Sequence, residues 1–257
     1  MDPGTAIIII PPVALAASLL TLISGFGLGT LLLPVFALFF PLEVAIGLTA
    51  VVHLLNNLFK LGLLWKDIHR GTVLRFGVPG IVGAYIGAML MLALGARAPL
   101  YQGMLHPVDP LDLVIAGLML LFGSFELSKA LNAFSLPSRW MVPGGFISGF
   151  FGGLSGHQGA LRSLFLLRSG MGKEAFIATG VAIACLVDLT RLPTYVGSGM
   201  AADVQAQWPL LLASTLAAFI GAWWGRKLIP KMTMGVVQRS VGLLILAIAG
   251  MLASGVI

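Results

Sequence analysis

Apolar residues run along this chain in unbroken stretches of about 20 rather than alternating with polar ones, and short clusters of glycine, proline and charge divide the stretches. Continuous runs of that length predict helices, whereas a transmembrane barrel would alternate apolar and polar residues in segments of about ten. Ten helical segments follow, at residues 6–23, 28–40, 43–64, 72–95, 111–130, 140–154, 158–169, 174–196, 207–228 and 235–256. Segments of 12 or 13 residues, such as 158–169 and 28–40, reach about 18–20 Å at a helical rise of 1.5 Å per residue. A hydrocarbon core is about 30 Å thick. The pairs 6–23 with 28–40 and 140–154 with 158–169, each joined by a glycine-rich tip, are therefore expected to be re-entrant or broken-helix hairpins.

A shift of 131 residues superposes Ser24-Gly25 on Ser155-Gly156, Glu43 on Glu174, Ile46 on Ile177, Asn57 on Asp188 and Lys60 on Arg191. A similar shift sets Gly87 against Gly221. Most of these matches fall on rare polar residues, where coincidence is least expected. The chain thus reads as two repeats, 1–135 and 136–257, forming one membrane domain. Five segments per repeat, an odd number, would turn the second half upside down relative to the first. The expected fold is an all-α integral membrane protein of two inverted five-segment repeats, with about 8–10 membrane helices.

Charge gives that architecture an orientation. Lys66, Arg70, Arg75, Lys129, Arg139, Arg168, Lys173, Arg226, Lys227, Lys231 and Arg239 flank four connections, while the stretches 96–110 and 197–206 hold only Arg97. The positive-inside rule makes the basic ends cytoplasmic and both termini external. Trp65, Trp140, Trp208, Trp223 and Trp224 lie near segment ends, where interfacial anchors belong. Met1-Asp2-Pro3-Gly4 has no basic side chain, so the first apolar stretch is expected to be retained rather than cleaved as a signal peptide.

Composition agrees: of 257 residues 58% are hydrophobic and 9% charged, and the mean hydropathy is +1.03. An ordinary soluble domain carries about 25% charged residues. The net charge of +6 is accounted for by one membrane face, without a nucleic-acid partner. Cys185 stands alone and the four histidines are scattered, so no disulfide, metal site or cofactor is expected.

The chemistry concentrates at the tips. The first reads Ser24-Gly25-Phe26-Gly27-Leu28-Gly29-Thr30 and the second Gly152-Gly153-Leu154-Ser155-Gly156-His157-Gln158-Gly159. A helix starting after each tip aims unpaired N–H groups and a positive dipole end at the membrane interior, a geometry that attracts anions. Close helix packing through small residues is the competing reading. Arg162 sits four residues beyond Gln158, on the same face of an apolar segment, and a mid-membrane guanidinium needs a partner or a task. His53, Asn57 and Lys60 form a polar stripe on the third segment; its counterpart carries Asp188 and Arg191, one turn apart and able to pair. Lys60 is expected to snorkel from its helix end, and Glu43 and Glu174 to favour their helix N-termini. Asp188 and Arg191 are candidates for coupling or gating.

Two enzyme signals are weak. Gly153-Leu154-Ser155-Gly156 matches the GxSG string of rhomboid-type proteases, but no histidine follows His157, and an adjacent pair makes a poor dyad. Gly25-Phe26-Gly27-Leu28-Gly29 lacks the strand and spacing of a dinucleotide site.

The paired tips, Ser24-Gly25-Phe26-Gly27-Leu28-Gly29 followed by Leu33-Pro34 and Gly153-Leu154-Ser155-Gly156-His157-Gln158-Gly159, together with the duplication and the basic short loops, resemble the TauE/SafE sulfite exporter family over nearly the whole chain. The His157-Gln158 pair departs from that family's glycine-richer second tip. The resemblance implies a cell-membrane exporter of sulfite, organosulfonates or related oxyanions, not an enzyme. Its expected partners are that small anion and the lipid bilayer, and a homo-oligomer is compatible with it. On this reading Ser24, Gly25, Gly27, Gly29, His53, Asn57, Ser155, Gly156, His157, Gln158, Gly159 and Arg162 line the site. A proton-coupled importer of a small anion or weak acid, and an intramembrane hydrolase using Ser155, are the alternatives.

Overall fold

Lipid offers no partner for backbone N–H and C=O groups, so an apolar chain must close those bonds inside its own helices. The computed structural model describes residues 3–24, 27–128, 135–197, 199–228 and 234–257; the side chains of residues 3, 22–24, 126, 226–228 and 234–241 are outside that description. Eleven helices are present among the described residues: α1 (Pro3–Ser24), α2 (Leu28–Ala37), α3 (Leu42–Leu64), α4 (Arg70–Gly95), α5 (Pro110–Leu127), α6 (Met141–Ser155), α7 (Gly159–Leu166), α8 (Lys173–Val196), α9 (Met200–Ala206), α10 (Trp208–Leu228) and α11 (Met234–Ala253). Five of them, α1, α3, α4, α8 and α10, are long and apolar enough to cross a membrane. The chain is an all-α membrane protein.

Each of the ten expected segments holds a helix, with three departures. α1 has 22 residues, about 33 Å of helix, so this arm is long enough to span by itself and is not the short arm expected. Pro11 and Pro12 lie inside it without ending it, as membrane helices permit where neighbours re-satisfy the freed carbonyls. The connection 197–206 holds the seven-residue α9. The connection 96–110 carries a two-rung antiparallel ladder, β1 (Tyr101–Gln102) with β2 (Pro107–Val108). That ladder is tied to the C-terminus, since the Met104 and Leu105 amides donate to the Ser254 and Gly255 carbonyls, both at 2.8 Å.

Small residues set the closest contacts. α4 crosses α6 on glycines: a Cβ at Gly83 or Gly87 would stand 2.1 or 2.0 Å from the Phe146 or Phe150 carbonyl oxygen. A Cβ at Gly145, Gly149 or Gly153 would stand as close to the Phe76, Gly80 or Ala84 carbonyl. Only glycine permits this approach, and it replaces the hydrophobic drive that lipid does not supply. α1 packs on α10 in the same manner, where a Cβ at Gly221 would lie 2.1 Å from the Leu15 carbonyl oxygen. α3 and α8 pack together, flanked by α10 on one and α4 on the other, and α5 pairs with α11. The five tryptophans are all substantially exposed, consistent with interfacial positions.

Candidate functional site

The two glycine-rich tips meet. Gly27 is the extended residue before α2 (φ −79°, ψ 136°), and Gly156 ends α6 in the left-handed region (φ 81°). A Cβ on Gly27 would come 3.8 Å from the Gly159 amide nitrogen, and one on Gly29 would come 3.3 Å from the Gly156 carbonyl oxygen. The starts of α2 and α7 thus converge, and the first amides of each helix have no intrahelical acceptor. Gly156 cannot be replaced freely: besides its positive φ, a Cβ there would lie 2.9 Å from the Arg191 guanidinium.

A buried ionic cluster lies beside the tips and ties α3 to α8. Asp188, with no exposed surface, receives Arg191 Nε at 2.9 Å and Arg191 Nη2 at 2.8 Å on one oxygen. Its other oxygen meets His53 Nδ1 at 2.6 Å. Arg191 Nη1 donates to the Gly152 carbonyl at 3.2 Å, and the Tyr195 hydroxyl donates to the Gly153 carbonyl, which fastens α8 to the end of α6. With Nδ1 engaged by Asp188, His53 turns Nε2 toward Gly27, 3.7 Å from where a Cβ there would stand. Asn57 Nδ2 lies 3.3 Å from that nitrogen.

A cavity of about 30 Å³ opens against this cluster, lined by Thr21, Gly27, Leu28, His53, Asn57, Lys60, Arg162, Phe176, Ile177, Gly180 and Val181. That space holds about two water molecules. Arg162 is 7% exposed and lies over Gly180, where a Cβ would be 3.1 Å from its Nε. Its Nη1 is buried without a hydrogen-bond partner, and among the described residues it has no ion pair.

Four of the expected residues, Gly27, His53, Asn57 and Arg162, line this cavity. Gly29, Gly156 and Gly159 form the contact between the tips beside it. Ser155 and His157 point elsewhere: the Ser155 hydroxyl donates to the Phe151 carbonyl at 3.0 Å, His157 Nδ1 meets Ser155 Oγ at 3.1 Å, and the imidazole stacks on Phe122. Gln158 stands one turn before Arg162, whose amide donates to its carbonyl at 2.9 Å, but its side chain packs against Gly152 and does not line the cavity; both its amide atoms are buried without partners. Gly25 and the Ser24 side chain lie outside the described residues.

Lys60, expected to snorkel to the interface, instead lines the cavity. Lys60 is 3% exposed and donates to Thr21 Oγ1 at 3.4 Å. When the Asn56 amide nitrogen faces the Ala218 carbonyl at 3.2 Å, its oxygen accepts from Lys60 Nζ at 3.1 Å. The signal for Lys60 was its place on the polar stripe, one turn below Asn57 and Asn56.

A family model described as Sulfite exporter TauE/SafE matches residues 10–252. The chain belongs to the TauE/SafE sulfite exporter family. Among the curated proteins none matches it. The TauE/SafE match covers both tips, the ionic cluster and every residue lining the cavity. TauE/SafE proteins are membrane transporters, and this chain is a multi-pass membrane protein of that kind.

Proposed function

We propose that this protein exports a small sulfur oxyanion, sulfite or an organosulfonate, across the cell membrane by alternating access, and that the cavity where the tips converge is its binding site. The observation that carries this reading is Arg162: a buried guanidinium with no carboxylate partner among the described residues, facing a cavity bordered by His53, Asn57, Lys60 and the start of α2. An unpaired charge inside a membrane is costly by about 2.5–3.5 kcal/mol even on the gentlest scale, and a bound anion removes that penalty.

Two inverted repeats, 1–135 and 136–257, account for the packing. α1 on α10 and α6 on α4 are equivalent pairs under the duplication, as are α3 on α10 and α8 on α4. Gly221 against Leu15 corresponds to Gly87 against Phe150. Rocking one repeat against the other would then open the site to either side. Phe176 and Ile177 near the start of α8, and Lys60 near the end of α3, place the cavity on the basic side of the tips. Positive-inside orientation makes that side cytoplasmic and the termini external, so the cavity faces the compartment from which an exporter loads. An inside-negative potential expels an anion with about 2.3 kcal/mol per charge per 100 mV, and no second ion is required.

His53 bonded to Asp188 beside the cavity is the observation favouring the second reading, import coupled to protons. Hydrolysis fits less well, because the Ser155 proton is committed to the Phe151 carbonyl and the Ser155–His157 pair does not line the cavity. Sulfite flux from proteoliposomes separates the transport readings. Export predicts efflux that rises with an inside-negative potential, persists with no pH gradient, and disappears in Arg162→Ala. Flux that requires an inward proton gradient at zero potential would establish import, and normal flux in Arg162→Ala would remove this cavity from the pathway.

A further inference from the structure

Resting on the carrier reading above, we propose that the site is built for a doubly charged anion, with Lys60 as the residue that makes it select two negative charges over one. The proposal follows from the charges that face one another. Lys60 and Arg162 line the same cavity and both are more than nine-tenths buried. The partners of Lys60 are neutral oxygens, the Thr21 hydroxyl and the Asn56 amide. Arg162 has no ion pair among the described residues, and its Nη1 has no hydrogen-bond partner.

The carboxylate beside them is Asp188, and Arg191 and His53 already occupy both its oxygens. Other described carboxylates are elsewhere. Asp67, Glu174 and Asp203 are exposed, Glu43 packs against Gly95 at the opposite end of α3 from Lys60, and Asp109 and Asp112 cap the start of α5. Among the described residues three cations, Lys60, Arg162 and Arg191, therefore share one carboxylate, which leaves two positive charges at the cavity. The amides starting α2 and α7 add positive potential and compensate nothing. A compact dianion closes this balance; a monoanion leaves one buried cation uncompensated, and that residual charge is the basis of selection.

The test uses sulfate and methanesulfonate, two tetrahedral anions of similar size that differ by one charge. Their binding to the purified full-length protein is measured by calorimetry at one neutral pH and fixed ionic strength, with gluconate as the background anion. Sulfate is expected to bind tighter by about tenfold or more. Lys60→Met should bring the ratio of the two affinities close to one, and Lys60→Arg should restore the preference for sulfate. Comparable affinities in the parent protein, or an unchanged ratio in a Lys60→Met variant that still binds anions, would overturn the proposal while leaving the carrier reading in place. Failure of the parent protein to bind either anion would sink both. If Lys60→Met does not fold, the parent ratio and Lys60→Arg decide the matter.

Discussion

Asp188 holds more of this site together than any other side chain, because α3 and α8 meet at its carboxylate through His53 and Arg191. Replacing it with asparagine keeps the volume but leaves Arg191 as a buried charge with no opposing ion. Breaking a buried pair in this way destabilises by about 3–5 kcal/mol. Asp188→Asn is therefore expected to lower the thermal unfolding temperature of the detergent-purified protein markedly, and to do so with or without anion. By contrast, Arg162→Gln should leave the unfolding temperature without ligand unchanged or raised, since it removes an unpaired charge, and should abolish the stabilisation that sulfite gives. Equal loss of stability in both variants would place Arg162 in the structural cluster instead. The sequence made Arg162 conspicuous because a lone charge in an apolar helix has few explanations. It hid Lys60 because a lysine near a helix end ordinarily reaches the interface, and only the fold reveals Thr21 and Asn56 around the amine. Gln158 keeps the helical register with Arg162 that periodicity assigns, but packing against Gly152, which no local pattern shows, takes its side chain away from the cavity.

Helices were read well from apolar runs, since a segment that must bury its own backbone bonds in lipid advertises its length. What runs could not show is how the helices touch. Gly80, Gly83, Gly87, Gly145, Gly149 and Gly153 form a seam between α4 and α6 whose spacing is set by carbonyl oxygens. Gly149→Leu would force a side chain into the Gly80 carbonyl, 2.1 Å from the Cβ position. Overpacking of this kind costs about 1–3 kcal/mol or more, and here it also pushes apart the element that carries the second tip. Gly117→Ala on α5 is the matched control, because nothing lies within 4 Å of its Cβ position. That change should be neutral or stabilise by up to about 1 kcal/mol through helix propensity. Unfolding temperatures of the two variants, compared with the parent, check the seam. α9 escaped notice for the opposite reason: seven residues including Asp203 and Gln205 make no apolar run. Its helix is stabilised by tertiary packing, with Met200 and Val204 seated over Gly47 of α3.

Topology links these parts to function, because the same site serves export or import depending on which face of the membrane each end occupies. The C-terminus is bonded to the 101–108 ladder, so 96–110 and the C-terminus share one face whatever the orientation. Lys66, beyond the end of α3, belongs to the opposite face if α4 crosses the membrane once, and α4 is long and apolar enough to do so. Cys185 is buried, so a Cys185→Ser background removes the single native thiol without disturbing an exposed position. Met104 is 76% exposed and Lys66 is exposed, which makes each a suitable place for a reporter cysteine. In intact cells a membrane-impermeant maleimide is expected to label Met104→Cys and not Lys66→Cys, with Lys66→Cys reacting only after the membrane is permeabilised. The reverse pattern would put the basic ends outside and turn the cavity toward the external medium. The potential would then oppose entry of an anion loaded there, and the coupling that export does without would become obligatory.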